Sequence, residues 1–162
     1  MRNSVHPKFD SEVAGPDTGA RAFRTTVYLL ALVPLLTGAL NIGLGLQAQG
    51  LIGAQLSPDG FRDPLLNSQI RFYGAIWFGF GVLLWICLSD INKYALLLRG
   101  SLAIVFLGGV GRIASLIQFG FPSEALSTAF VIAVVAIEII GMPLLLWWHS
   151  RVAGKTTPIP EI

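Results

Sequence analysis

The chain has 162 residues, of which 54% are hydrophobic and 12% charged, with a net charge of +2. A water-facing domain carries about 25% charged residues; this low charge, with a mean hydropathy of +0.70, excludes an ordinary soluble domain and makes lipid the solvent. The small positive excess without a Lys/Arg cluster argues against nucleic acid as a partner, and a single cysteine, Cys87, excludes an internal disulfide.

Residues 1–22 are polar, mixed in charge and rich in Gly, Pro, Ser and Thr, which predicts a disordered tail. The first apolar run is longer than the roughly 7–15 residues of a signal-peptide core, so an uncleaved first span is expected. Four apolar stretches follow, at about 23–46, 70–88, 94–119 and 124–148. Each reaches or comes within a residue of the roughly 20 residues that cross a ~30 Å hydrocarbon core. None alternates with the period of two that a barrel strand needs. The expected fold class is therefore all-α, an integral membrane four-helix transmembrane bundle over residues 23–150, with a disordered tail at 151–162.

Local signals mark the joints. Pro64 and Asn67-Ser68 suit the entry to the second helix, and Ser89-Asp90 and Asn92 the turn after it. Gly120 and Pro122 separate the third and fourth helices, with Ser123 as expected N-cap. Pro34 and Pro143 fall inside apolar runs, where spanning helices tolerate proline as a kink. Residues 47–69 form the longest connection, and its apolar stretch Leu51–Leu56 suits the membrane interface.

Orientation follows from Lys/Arg in short loops. With both termini on one side, that side holds Arg2, Lys8, Arg21, Arg24, Lys93, Arg99, Arg151 and Lys155, and the other only Arg62. Both termini are expected in the cytoplasm. Trp147 and Trp148 beside His149 and Arg151 read as an aromatic belt with a basic flank, joined by Tyr28 and Tyr94.

Three ionisable residues fall within or near the hydrocarbon: Arg71, Arg112 and Glu138. An unpaired charge at the bilayer centre costs at least ~2.5 kcal/mol, so such residues face a partner or a cavity. Arg112 lies seven residues before Phe119, hence about 10 Å inside the outer end. Asn41 sits at a similar level and Glu138 deeper. On the first helix Gly38, Asn41 and Gly45 share a face; on the second Arg71, Gly74, Phe78 and Gly81; on the third Ser101, Gly108, Arg112 and Ser115. Small residues on a polar face let helices approach closely in lipid. The candidate polar cluster, for ligand binding or for structure, is Arg71, Arg112, Glu138, Asn41 and Ser115.

Three readings of this cluster stay open. Arg112 and Glu138 neutralise each other as a structural pair, with Arg71 snorkelling to phosphate. Alternatively two arginines against one glutamate leave a net positive pocket for an anionic headgroup, a quinone-like carbonyl or a carboxylate. The third is a proton relay through Glu138. No catalytic residues, metal site or cofactor are assigned: His6 in the tail and His149 at the rim provide no bis-histidine site within the spans, and no nucleophile has a matching base.

The segment Asn67-Ser68-Gln69-Ile70-Arg71-Phe72-Tyr73-Gly74, leading into a Gly-rich helix, resembles the signature of a bacterial family of unknown function. So do Gly108-Gly109-Val110-Gly111-Arg112 with Ser115, the turn Gly120-Phe121-Pro122, and Glu138 followed by Pro143. The resemblance covers about residues 23–150. It implies a small four-helix protein of the bacterial cytoplasmic (inner) membrane, singles out Arg71, Arg112 and Glu138, and carries over no activity.

The expected function is that of a non-enzymatic polytopic membrane protein, an accessory or assembly subunit of a membrane complex. The alternative is a binder or transporter of a small anionic or lipid-like ligand through the Arg/Glu pocket. An intramembrane enzyme acting on lipid would need Glu138 as its base. The expected partners are the lipid bilayer and other membrane subunits or a second copy of the chain.

Overall fold

The structure is a computed structural model that describes residues 18–153. Residues 1–17 and 154–162, which include most of both expected tails and His6, lie outside the described residues. In chain order the elements are α1 (Thr18–Leu44), α2 (Leu46–Leu51), α3 (Pro58–Arg62), α4 (Pro64–Ser89), α5 (Ala95–Phe119), α6 (Ala125–Ala136), a π-helical turn (Ile137–Gly141) and α7 (Met142–Val152). There is no strand among the described residues. Among the described residues four helical rods are long and apolar enough to cross a membrane: α1, α4, α5 and the continuous α6–π–α7, with mean hydropathies of 2.0, 1.8, 1.8 and 2.6 over their most apolar stretches. The chain is a four-helix membrane-type bundle.

Several ends differ from the boundaries expected from apolarity, each for a local reason. Residues 18–22, expected in the tail, are already helical, and burial of Phe23 and Val27 anchors the turns that follow. The second spanning helix starts at Pro64 instead of about residue 70. Asp63 is its N-cap and accepts the Leu66 N–H at 2.9 Å, while Pro64 occupies a position whose missing N–H does no harm. The last rod is capped at Glu124, not Ser123, and no side chain bonds its first turn as a cap. Between α4 and α5, Asp90 Oδ1 accepts the N–H groups of Lys93 and Asn92, at 3.0 and 3.1 Å. Those bonds, the Lys93 one foremost, hold the Asp90 carboxyl below its ordinary range.

Pro143, expected to kink the fourth helix, has no N–H to give the Ile139 carbonyl. The chain inserts a π turn just before it, in which the Met142 N–H reaches back to the Ile137 carbonyl. Glu138 lies inside that turn and is buried.

The bundle consists of two hairpins. α1 packs along α4 most extensively of all pairs, and α5 packs along the π turn, α7 and α6. The first hairpin closes on glycine: a Cβ on Gly38 would meet the Phe78 backbone nitrogen at 2.6 Å and the Gly74 carbonyl at 2.8 Å. One on Gly74 would meet Asn41 Cβ at 2.6 Å, and one on Gly81 would meet Leu35 Cγ at 2.7 Å. Lipid supplies no hydrophobic drive between helices, so such close backbone approach and its dispersion contacts hold the pair. The small-residue faces of the first two spans are the faces that meet.

The two hairpins join at the end that carries Thr18 and Ala153. There Phe23, Val27 and Ala31 of α1 bury against Leu84, Cys87 and Leu88 of α4, Leu98 and Leu102 of α5, and Met142 and Leu145 of α7. An aromatic band surrounds this end. Phe23 meets Trp148 edge-on at 5.7 Å, Tyr28 meets Trp85 at 5.8 Å, and Arg151 lies 4.6 Å over the Trp147 ring. The opposite, far end is more open: of α6, Ser127 alone is buried. The hairpins are bridged there by the segment after α2.

Candidate functional site

The far end contains two polar clusters. In the first, Arg71 Nη1 donates to the Ile42 and Gly43 carbonyls, the latter at 3.1 Å. These carbonyls belong to the last turn of α1, which has no intrahelical donors for them and carries the negative end of the helix dipole. Arg71 is thus a C-terminal clamp on α1. Beside it Gln49 Nε2 donates to Asn41 Oδ1 at 2.9 Å, and Asn67 Oδ1 accepts the Leu46 N–H at 3.2 Å, satisfying the start of α2. Gly45 makes the corner between α1 and α2 with φ +59°, and a Cβ there would collide with Asn67 Oδ1. Only glycine combines that backbone with that neighbour.

In the second cluster Arg112 Nε donates to both carboxylate oxygens of Glu138, at 3.2 and 3.0 Å. This is the one Lys/Arg–Asp/Glu ion pair among the described residues. Gly109 makes it possible: a Cβ there would meet Glu138 Cβ at 2.7 Å, so α5 and the π turn touch backbone to side chain. Arg112 is three residues further along the same face of α5. The packing glycine of this face is Gly109; Gly108, which helical spacing groups with Arg112, has open space around it. The Glu138 side chain is 7% exposed and that of Arg112 45% exposed. Arg112 spends only Nε on the pair. Its two terminal amino groups have no hydrogen-bond partner among the described residues.

Arg112 also lines a cavity of about 340 Å³, together with Ile52, Ala54, Gln55, Glu124 and Phe130 among others. The bridging segment forms one wall. Ser127 Oγ donates to the Ile52 and Gly53 carbonyls, both at 3.2 Å, and Gln55 Nε2 donates to Glu124 Oε1 at 2.8 Å. Of the five residues predicted as one cluster, the hydrogen bonds join Arg112 to Glu138 and place Asn41 and Arg71 at the end of α1. No bond links the two sets among the described residues, and Ser115 is exposed and joins neither.

The family model for Domain of unknown function (DUF4345) matches residues 22–149, which contain all four spans' apolar cores and both clusters. The chain belongs to the DUF4345 family. No curated protein and no solved structure matches it.

Two features of this DUF4345 chain escaped the sequence. The cavity wall of Ile52–Gln55 and the residues Glu124 and Ser127 lie in loops and helix ends, where apolar periodicity says nothing about partners. The second is His149, expected at the membrane rim and found fully buried at the near end. Its Nδ1 accepts from Arg99 Nε at 3.1 Å, and its Nε2 lies 3.4 Å from the Ile91 carbonyl. Phe23 packs on the ring with centroids 5.5 Å apart. His149 therefore ties the first, third and fourth spans to the α4–α5 turn. The available signal was the presence of Arg99 and His149 at equal depth on neighbouring spans.

Chemically, Arg112 offers terminal N–H donors in the fork geometry that suits phosphate or carboxylate. Glu138 is engaged by Arg112 through both oxygens, which suits a counter-ion and positioning group better than a base. The described residues contain no group of three His, Cys, Asp or Glu placed to hold a metal.

Proposed function

We propose that this DUF4345 protein is a binding protein of the bacterial cytoplasmic membrane whose far-end cavity holds a small anionic or lipid-like amphiphile, with both termini cytoplasmic. The observation that carries it is Arg112: held at Nε by Glu138, it has no partner for either terminal amino group among the described residues while lining a cavity of about 340 Å³. Ligand sites combine apolar walls with a few convergent polar groups, and Ile52, Ala54, Phe130 and Val131 supply the walls here. The orientation rests on the eight-to-one Lys/Arg asymmetry.

Native mass spectrometry of the full chain released from lipid nanodiscs tests this. Wild type should retain an amphiphile that the charge-neutral double variant Arg112→Gln/Glu138→Gln loses. Equal retention by both removes the reading.

A second reading, an accessory or assembly subunit, is favoured by α5. A Cβ added at Gly100, Gly108 or Gly111 would find nothing within 4 Å, leaving a face that another helix would fit. A lone monomer in mild detergent, with no co-purifying subunit, would remove it.

A further inference from the structure

We infer that the far-end cavity recognises a phosphate and a primary ammonium together, the headgroup chemistry of a zwitterionic aminophospholipid. This rests on the cavity being a binding site, as proposed above, and adds the identity of its ligand class.

The cavity is not uniformly positive. Arg112 lines it, and so does Glu124, with Gln55, Ser123 and Ser127 around them. Glu138 already balances Arg112, so a simple anion would face an uncompensated Glu124 carboxylate. Gln55 occupies only Oε1 of Glu124; Oε2 has no hydrogen-bond partner among the described residues. The site therefore presents unspent donors on Arg112 and an unspent acceptor on Glu124. A ligand with both charges satisfies both walls.

The order of the two walls fits the same chemistry. Arg112 precedes the end of α5 by seven residues, about 10 Å at 1.5 Å per residue. Glu124 caps the start of α6, at the far surface. In a phospholipid leaflet the vector from phosphate to amine lies close to the membrane plane, with the amine on average slightly nearer water. Phosphate to Arg112 and ammonium to Glu124 keeps the amine outermost while drawing the phosphate inward along the cavity. The apolar walls of Ile52, Phe130 and Val131 are left for the glycerol and upper acyl chain.

A quaternary ammonium fits less well. It donates no hydrogen bond and is recognised by aromatic cages, whereas Phe130 is the only aromatic residue among the described residues of this lining. A primary ammonium uses the Glu124 acceptor directly.

The test measures retention by native mass spectrometry from nanodiscs of mixed phosphatidylethanolamine, phosphatidylcholine and phosphatidylglycerol, for wild type, Glu124→Gln and Arg112→Gln/Glu138→Gln. Water-soluble phosphoethanolamine is added as competitor in a parallel series. Wild type should retain phosphatidylethanolamine at least about ten-fold over the other two, the effect of one charge-assisted hydrogen bond. Glu124→Gln should bring phosphatidylethanolamine to the level of phosphatidylglycerol without loss of total lipid, and the double variant should lose both. Equal retention of all three lipids by wild type overturns the ammonium assignment while leaving an amphiphile site. No retention of any lipid overturns this inference and the cavity reading together. Complete displacement by phosphoethanolamine at the lipid's own concentration overturns the lipid as source.

Discussion

Arg112 reaches Glu138 through Nε, at 3.0 and 3.2 Å from the two carboxylate oxygens, across the π turn that precedes Pro143. A π turn inserts one residue into the helical repeat and rotates the residues beyond it by about 100°. Glu138, near the start of that turn, faces α5 at the level where Gly109 permits contact. Proline, bulge, glutamate and glycine form one device for holding an arginine inside a membrane.

The pair should behave as a unit in stability. Arg112→Gln leaves a 7% exposed carboxylate without its cation, a loss of about 3 kcal/mol when a buried pair is broken from one side; the half-exposed arginine moderates this. Glu138→Gln should be milder. The double variant should be destabilised less than the sum of the two, with a coupling of about 1–3 kcal/mol in thermal unfolding in detergent. Strict additivity would mean that the pair is not formed.

Close packing of α1 on α4 predicts a contrast between glycines. At Gly38 a methyl group would press on backbone atoms of Phe78 and Gly74, which have no side-chain freedom to yield. Gly38→Ala should cost about 1–3 kcal/mol through overpacking. Gly79→Ala, with open space around it, should be neutral or raise stability by up to about 1 kcal/mol through helix propensity. Melting of the two variants side by side checks the register of the hairpin.

His149 is predicted to be structural. His149→Leu preserves bulk but orphans the buried Ile91 carbonyl and removes the partner of the exposed Arg99. A loss of about 1–3 kcal/mol is expected, since buried polar groups without partners carry that penalty. Arg99→Ala in the His149→Leu background should add little. Wild-type stability in His149→Leu would show that the buried ring is dispensable.

Asp90 predicts an acid-sensitive turn. Its carboxyl is held low by the Lys93 and Asn92 N–H groups, so the folded turn prefers the charged form. A depressed folded-state value stabilises the fold above the ordinary carboxylate range and ceases to do so as pH falls through the lowered value. The Lys93 amide resonance should titrate with a midpoint below that of a free aspartate. Asp90→Asn should abolish that titration. A midpoint at or above the ordinary value would contradict the hydrogen bonds.

The number, type and approximate place of the spans are properties of the sequence alone. Transfer into lipid sums over about 20 neighbouring residues, so the fate of a stretch such as 95–119 is decided by its own composition. The same holds for the glycines of α1 and α4, where Gly38, Gly74 and Gly81 lie on the contacting faces because helical spacing is local. Choice of partner is not local. Arg71 and Arg112 look alike as charges near one membrane level, yet one clamps the carbonyls of α1 and the other pairs with Glu138. Which it is depends on helix rotation, on the phase added by the π turn, and on whether Gly108 or Gly109 meets the neighbour. The cavity wall at Ile52–Gln55 and the burial of His149 likewise arise where segments distant in sequence meet. Only the tertiary structure brings those segments together, because hydrogen bonds across the bundle are satisfied in space and leave no period in the chain.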